Sequence, residues 1–237
     1  MVFREGEAPI TMNEYLKPTE FLDSDEVSVR EFANRSIGSA PSDRDRAVAL
    51  YYAVRDGFQY DPYVLDLRRE GLRASKLLTK TRGYCVEKAV LLAASARAVG
   101  IPSRLSFYIV RNHIATDRLE KLLERNYLVF HGAAEMMLED EWIKATPAFN
   151  RRLCDFLGVE PLEFDGTSDS IFQEFDRTGS RFMEYLHDYG AFSDLPYETY
   201  LEELNKHYPH IFDNDSYSNG DLIFDFRQIA AEQASNV

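Results

Sequence analysis

Cys85 is the residue of this chain whose type and setting could do covalent chemistry. It follows Arg82-Gly83-Tyr84, and from Cys85 onward strong helix formers run until Gly100 offers a C-terminal cap and Pro102 forbids continuation. A thiol in the first turn of such a helix meets unpaired backbone N–H groups and the positive end of the helix dipole. Both push it toward thiolate, the form that attacks carbonyl carbon. Packing is the competing reading, because unpaired cysteines are among the most buried residues. His131, beginning a stretch that alternates as a strand, is the partner that favours chemistry, since an imidazole exchanges protons near neutral pH. His113, just beyond Asn112, is a rival base but reads as a loop or surface residue. Cys154 sits among apolar residues at helical spacing and reads as packing.

Other chemistries find less support. No His and Cys cluster has zinc-site spacing, no glycine-rich loop suits a phosphate, and five histidines scattered singly imply no metal. Asp213-Asn214-Asp215 hints at a calcium loop, yet Ser218 stands where glycine is needed and no closing Glu follows, so it reads as a solvated turn. No cofactor is implied. Lysine plus arginine number 27 against 40 acidic residues, a net charge of −13, which argues against general affinity for nucleic acid or an anionic membrane. Two cysteines are too few for a disulfide scaffold in a chain this long, which fits a reducing compartment. The opening residues lack a signal-peptide pattern and no apolar run approaches membrane-spanning length, so a cytoplasmic protein is expected.

Periodicity supplies the elements that must position Cys85 and His131. Asp23-Ser24 is placed to cap a helix bearing Val27, Val29, Phe32, Ala33 and Ile37, and Ser42 to cap a second, with Asp45 completing an imperfect capping box. Phe58 to Tyr60 is a short extended stretch cut off by Pro62. Lys76, Lys80 and Arg82 make a basic lead-in that also biases Cys85 toward its charged form. The Cys85 helix is apolar around most of its circumference, so burial on nearly all sides is expected. Alternation marks strands over residues 103–111, 127–138 and 142–146, with Thr116 capping a short helix between the first two. If Glu139-Asp140 is a two-residue turn, Glu135 faces Lys144, and His131, Ala133, Glu135 and Met137 share a face with Trp142, Lys144 and Thr146. Thr146 is then the diagonal neighbour of His131, whereas Glu135 lies roughly 13 Å along the strand, beyond hydrogen-bond reach. Further helices are expected near residues 152–157, 181–189 and 196–207, then a polar loop over 213–220 and a helical tail.

Several of these residues carry a resemblance. Gly83-Tyr84-Cys85 opening a buried helix, Arg97-Ala98-Val99-Gly100-Ile101-Pro102-Ser103-Arg104 at its end, His131 beginning a strand and Trp142 followed by Pro147 are similar to the transglutaminase-like superfamily, a branch of the papain-like cysteine enzymes. Phe58 and Tyr60 fit as an aromatic pair before the helix. The likeness covers about Tyr15 to Asn150 and is nearest to a bacterial group of transglutaminase-like domain proteins, whose Phe164-Asp165-Gly166 and Met183-Glu184-Tyr185 segments look similar.

The resemblance implies an α+β fold, with the nucleophile helix packed on an antiparallel sheet. Residues 15–150 would form the core and residues 151–237 a mainly helical extension packed on it. It implies Cys85 as nucleophile and His131 as general base and acid. The third group should be the aspartate of a Trp-x-x-x-Asp-Pro pattern, but here Trp142-Ile143-Lys144-Ala145-Thr146-Pro147 puts Thr146 in that position. A hydroxyl can orient an imidazole but carries no charge, so Thr146 and Asn150 are the candidates for that role. Tyr60, Gln59 and Tyr84 are candidates for contacting substrate or its oxyanion. The implied reaction is thiol-dependent acyl transfer, above all hydrolysis of a peptide, amide or isopeptide bond in a peptide or protein substrate. The alternative is a catalytically degenerate member that keeps the fold as a peptide- or protein-binding module. The oligomeric state is left open.

Overall fold

The run that reads as helical on every side is a helix, Cys85–Ala98, and every residue in it from Cys85 to Arg97 is buried. A computed structural model describes residues 12–113, 117–212 and 222–227. In chain order its elements begin with α1 (Val27–Ile37), α2 (Asp43–Gly57), β1 (Gln59–Tyr60), β2 (Val64–Asp66), α3 (Ala74–Leu77) and β3 (Arg82–Gly83). Then come α4 (Cys85–Ala98), β4 (Ser103–Asn112), α5 (Asp117–Leu123), β5 (Tyr127–Leu138) and β6 (Glu141–Ala145). The chain continues through α6 (Arg151–Leu157), β7 (Met183–Phe192), α7 (Tyr197–His207), α8 (Pro209–Phe212) and β8 (Ile223–Asp225). Expectations for Thr116 and the 213–220 loop with its Asp213-Asn214-Asp215 turn lie outside the described residues; of the expected helical tail, the described part holds the strand Ile223–Asp225, drawn into pairing with Val64–Asp66, and the rest lies outside them. Among the described residues no helix is long and apolar enough to cross a membrane.

The architecture is α+β. Four antiparallel strands in the order β6-β5-β4-β7 form the main sheet, while β1 pairs with β3 in parallel and β2 with β8 antiparallel. Helix α4 lies on the face that carries Leu105, Phe107, Gly132, Ala134 and Met136, and α1, α2 and α3 close around its other sides. The expected β5–β6 register is present: Leu138 pairs with Glu141, Met137 with Trp142 and Glu135 with Lys144. Glu139 and Asp140 have φ of 51° and 66°, the left-handed pair that a two-residue hairpin turn requires.

Arg97 explains why the helix-end motif carries an arginine. Its buried guanidinium donates to the carbonyls of Ser103, Lys17 and Ser193, tying the end of α4 to β4, to the N-terminal segment and to the chain leaving β7. Ser42 caps α2 as expected, accepting from the Asp45 N–H at 3.1 Å. Asp23 does not cap α1. Its carboxylate accepts from the N–H and hydroxyl of Ser75 and faces the Arg73 guanidinium, so it holds the start of α3 instead.

Residues 183–192 are a strand rather than the expected helix. Tyr185 and Tyr189, four apart, imitate one helical face. Register shifts in the β4–β7 ladder turn them to opposite faces of the sheet, Tyr185 stacking on Tyr108 at 4.5 Å and Tyr189 on Phe130 at 4.6 Å. The last third therefore supplies an edge of the central sheet as well as helices α6, α7 and α8.

Candidate active site

Pairing of β3 with β1 delivers an extended Tyr84 to the head of α4, where the Glu87 carboxylate accepts the Tyr84 N–H at 3.1 Å and pairs with the Lys80 ammonium. Cys85 is thus fixed in the first helical turn. Strand β6 leaves the sheet after pairing Ala145 with Ala134, so on that side β5 is unpaired toward its start. There the backbone of Gly132 comes against the first turn of α4, and the amides of Gly132, Val86 and Cys85 itself favour the charged form of the Cys85 sulfur. A Cβ on Gly132 would lie 3.2 Å from Val86 Cα and 3.4 Å from the Cys85 carbonyl oxygen, so only glycine lets β5 come this close to the helix start.

Burial outweighs these amides. Desolvation pushes the Cys85 thiol up to about 11 although the three N–H groups pull it down, and the nearby Glu87 carboxylate adds to the rise. The sequence expectation of a resting thiolate is therefore overturned: helix amides favour the anion, but at 7% exposure the lost water matters more. Gly132→Ala is expected to destabilise the fold by about 1–3 kcal/mol through overpacking. It should also raise the apparent pKa for Cys85 alkylation by moving an N–H off the sulfur, which a pH series of alkylation rates measures.

His131 follows a bulge in β5, where Phe130 takes a φ of 57° and the register with β4 shifts. Its pairing with Tyr108 puts it on the sheet face away from Gly132, with Ala133 and Glu135. The ring is 2% exposed, its Nδ1 has no partner, and burial pushes its pKa down to about 4. No hydrogen bond joins it to Cys85 among the described residues; the residue of β5 that packs against the Cys85 and Val86 backbone is its neighbour Gly132. Thr146, expected diagonal to His131, follows the last paired residue of β6, Ala145, and lies outside the β5–β6 ladder. The Thr146 N–H donates to the Ser170 carbonyl at 2.8 Å, while its buried hydroxyl has no partner.

The remaining sequence candidates divide. Asn150 is engaged elsewhere, its side-chain carbonyl accepting the Tyr60 N–H at 3.0 Å and so tying β1 to the loop before α6. Tyr60 lines a cavity of about 70 Å³ beside Cys85, with its ring edge-on to Phe149 at 4.8 Å. Gln59, its neighbour on the strand, is exposed and does not line that cavity. Tyr84 lines it with its hydroxyl 3.0 Å from that of Tyr200. His113 sits at the far end of β4, its ring 3.6 Å from the Glu184 carboxylate. Cys154 is buried against the Phe149 carbonyl and Gln173, and both cysteines are free.

Sequence reasoning missed two groups. Tyr200, Leu204 and Tyr208, from α7 and the residue after it, form one wall of the cavity. Their spacing in an amphipathic helix was the available signal. Lys88, one turn into α4, is fully buried, and its ammonium donates to the carbonyls of Arg55, Phe58 and Ala148 at 2.8, 2.9 and 2.8 Å. A lysine in an apolar helix is itself a sequence signal, since burial requires that all three donors find acceptors. Among the described residues no group of three or more His, Cys, Asp or Glu could hold a metal ion.

Residues 30–147 match the family model described as Transglutaminase-like superfamily. No curated protein matches. Among solved structures, one from Cytophaga hutchinsonii described as a "putative cysteine protease" is 17% identical with a TM-score of 0.45, over 76% of this chain and 54% of its own. Another, from Parabacteroides distasonis and described as a "putative protease", is 15% identical with a TM-score of 0.36, over 57% of this chain and 25% of its own. The chain thus spans about half of the first and a quarter of the second.

Proposed function

Residues 30–147 of this chain belong to the transglutaminase-like superfamily, and on that premise we propose that the protein is a thiol-dependent acyl-transfer enzyme. Its favoured reaction is hydrolysis of a peptide, amide or isopeptide bond. One observation carries the reading: Cys85 opens a buried helix against the close-packed backbone of Gly132, at the wall of a cavity that could receive an acyl group. The resting pair is neutral, a thiol with burial raising its pKa and an imidazole with burial lowering its own. The thiol proton therefore leaves during attack and does not precede it. His131, the base the family resemblance assigns, takes that proton as Sγ bonds to the carbonyl carbon, a step that requires its ring to come round from the face of β5 opposite Gly132, and helix-head N–H groups hold the oxyanion. Collapse expels the leaving group with a proton from His131, and water or an amine then releases the acyl group from sulfur. Thr146, which stands where the family pattern has its aspartate and whose buried hydroxyl has no partner among the described residues, is the group we assign to orient the ring.

This assignment sets a pH signature. A base must be unprotonated to act, and His131 loses its proton at about 4 instead of the ordinary 6.5. The kcat/KM for hydrolysis of p-nitrophenyl acetate is expected to rise through an acid limb near pH 4 and stay level across neutrality. A limb near the ordinary imidazole value would contradict the buried base. The second reading, a binding module without turnover, rests on Thr146 standing where the family pattern has aspartate and on the missing Cys85–His131 hydrogen bond among the described residues. It predicts that wild-type and Cys85→Ala proteins recover the same partner equally and that neither turns over any ester.

A further inference from the structure

The cavity on Cys85 has a chemical character of its own. Among the described residues that line it none is charged, and Leu65, Leu123, Leu128, Val129, Phe130 and Leu204 are among its apolar side chains. Three of the four tyrosine hydroxyls that line it are already engaged. Tyr84 and Tyr200 meet each other at 3.0 Å, and Tyr208 donates to the Tyr127 carbonyl and accepts the Val129 N–H, each at 2.9 Å. Burial keeps all three phenols neutral by holding their pKa values above the ordinary range. Charged side chains do lie nearby, because Asp61, Val64 and Asp66 alternate with Tyr60, Pro62 and Leu65 along the chain. They open into a separate cleft on the other side of that wall, where Asp61 faces Arg82 and Glu87 pairs with Lys80.

We propose that Cys85 accepts a short, uncharged aliphatic acyl group, about four carbons long, seated among Leu65, Leu123, Val129 and Leu204. The inference rests on the acyl-transfer reading above and gives its substrate class. A site for one water takes about 10–15 Å³, so the cavity of about 70 Å³ holds an acyl chain of butyryl size. A carboxylate at the end of such a chain loses its water and finds no counter-charge among the lining residues, only tyrosine hydroxyls. In the step itself the Sγ–C bond forms as the bond from carbonyl carbon to the leaving nitrogen, or to oxygen in an ester, breaks. The thiol proton passes through His131 to that leaving atom, and no oxidant or reductant is consumed.

Two arms test this separately. In the first, Cys85 is alkylated by N-propyl-2-iodoacetamide or by 2-iodoacetate at about 0.5 M salt, which screens the net charge of the surface. Each rate is divided by that of N-acetylcysteine with the same reagent. The neutral alkyl reagent is expected to lead by at least about a hundredfold, and Leu123→Lys, which adds a cation to the wall, to cut that lead at least about tenfold. In the second, intact mass follows acylation by p-nitrophenyl butyrate and by mono-p-nitrophenyl succinate, with the same preference expected. Equal normalised alkylation rates would overturn the apolar-pocket inference. Acylation of Cys85 without chain preference would also overturn it while leaving acyl transfer standing. Selective alkylation with no acylation by either ester would overturn acyl transfer and support the pocket's preference.

Discussion

Cys85→Ala is expected to abolish ester and amide turnover, a loss of about ten-thousandfold or more, while the protein keeps its fold. Removing a nucleophile removes the covalent route entirely, and what survives is only the catalysis given by binding and oxyanion contacts. The sulfur is a small part of a core in which α4 is packed on every side, and its amide partners are the helix-head N–H groups and that of Gly132. Stability should therefore change by only about 1 kcal/mol. Cys154→Ala is the matched control: that thiol is buried against Gln173 and the Phe149 carbonyl and does not line the cavity, so turnover should be unaltered. Steady-state kinetics and urea unfolding of the two variants give the comparison. Turnover by Cys85→Ala within tenfold of wild type would show the chemistry to lie elsewhere.

Lys88→Met should produce the largest loss of stability, about 3 kcal/mol at neutral pH, from three carbonyls left without donors. Those carbonyls belong to the last turn of α2, the residue before β1, and the loop that carries Asn150. The substitution therefore unties the wall bearing Tyr60 from the helix bearing Cys85. The deficit has a characteristic pH dependence. Burial pushes Lys88 down from 10.5 to about 7, so between those values the unfolded chain binds a proton that the folded chain does not. This contribution to stability is fully present above 10.5 and is lost as pH falls to 7. The gap between wild type and Lys88→Met is expected to widen from pH 7 toward pH 10, read from urea midpoints at each pH. A gap that narrows would mean that the three carbonyl acceptors hold the ammonium charged more strongly than burial opposes it.

Much of this was legible beforehand because local rules and tertiary structure agree. The hairpin register followed from Glu139-Asp140 and the alternation on either side, and the Cys85 helix from its all-round apolar surface between Gly83 and Gly100. The failures share a cause: long-range packing decided between locally plausible options. Tyr185 and Tyr189 suit a helix face until β4 pairs with them, and Asp23 would cap α1 had Ser75 not reached it first. The resting state of Cys85 was misread for the same reason. Its amide environment is local, but the burial that outweighs it comes from β5 and α7, distant in sequence.

The account turns on His131 taking the thiol proton, and the rate at which p-nitrophenyl acetate acylates Cys85 in wild-type and His131→Gln proteins tests this most directly. Intact-mass kinetics, with the adduct located by peptide mapping, are expected to show single acetylation at Cys85, slowed by about a thousandfold or more in His131→Gln at neutral pH. Acylation at an undiminished rate in His131→Gln, or an adduct carried by Cys154, would contradict it.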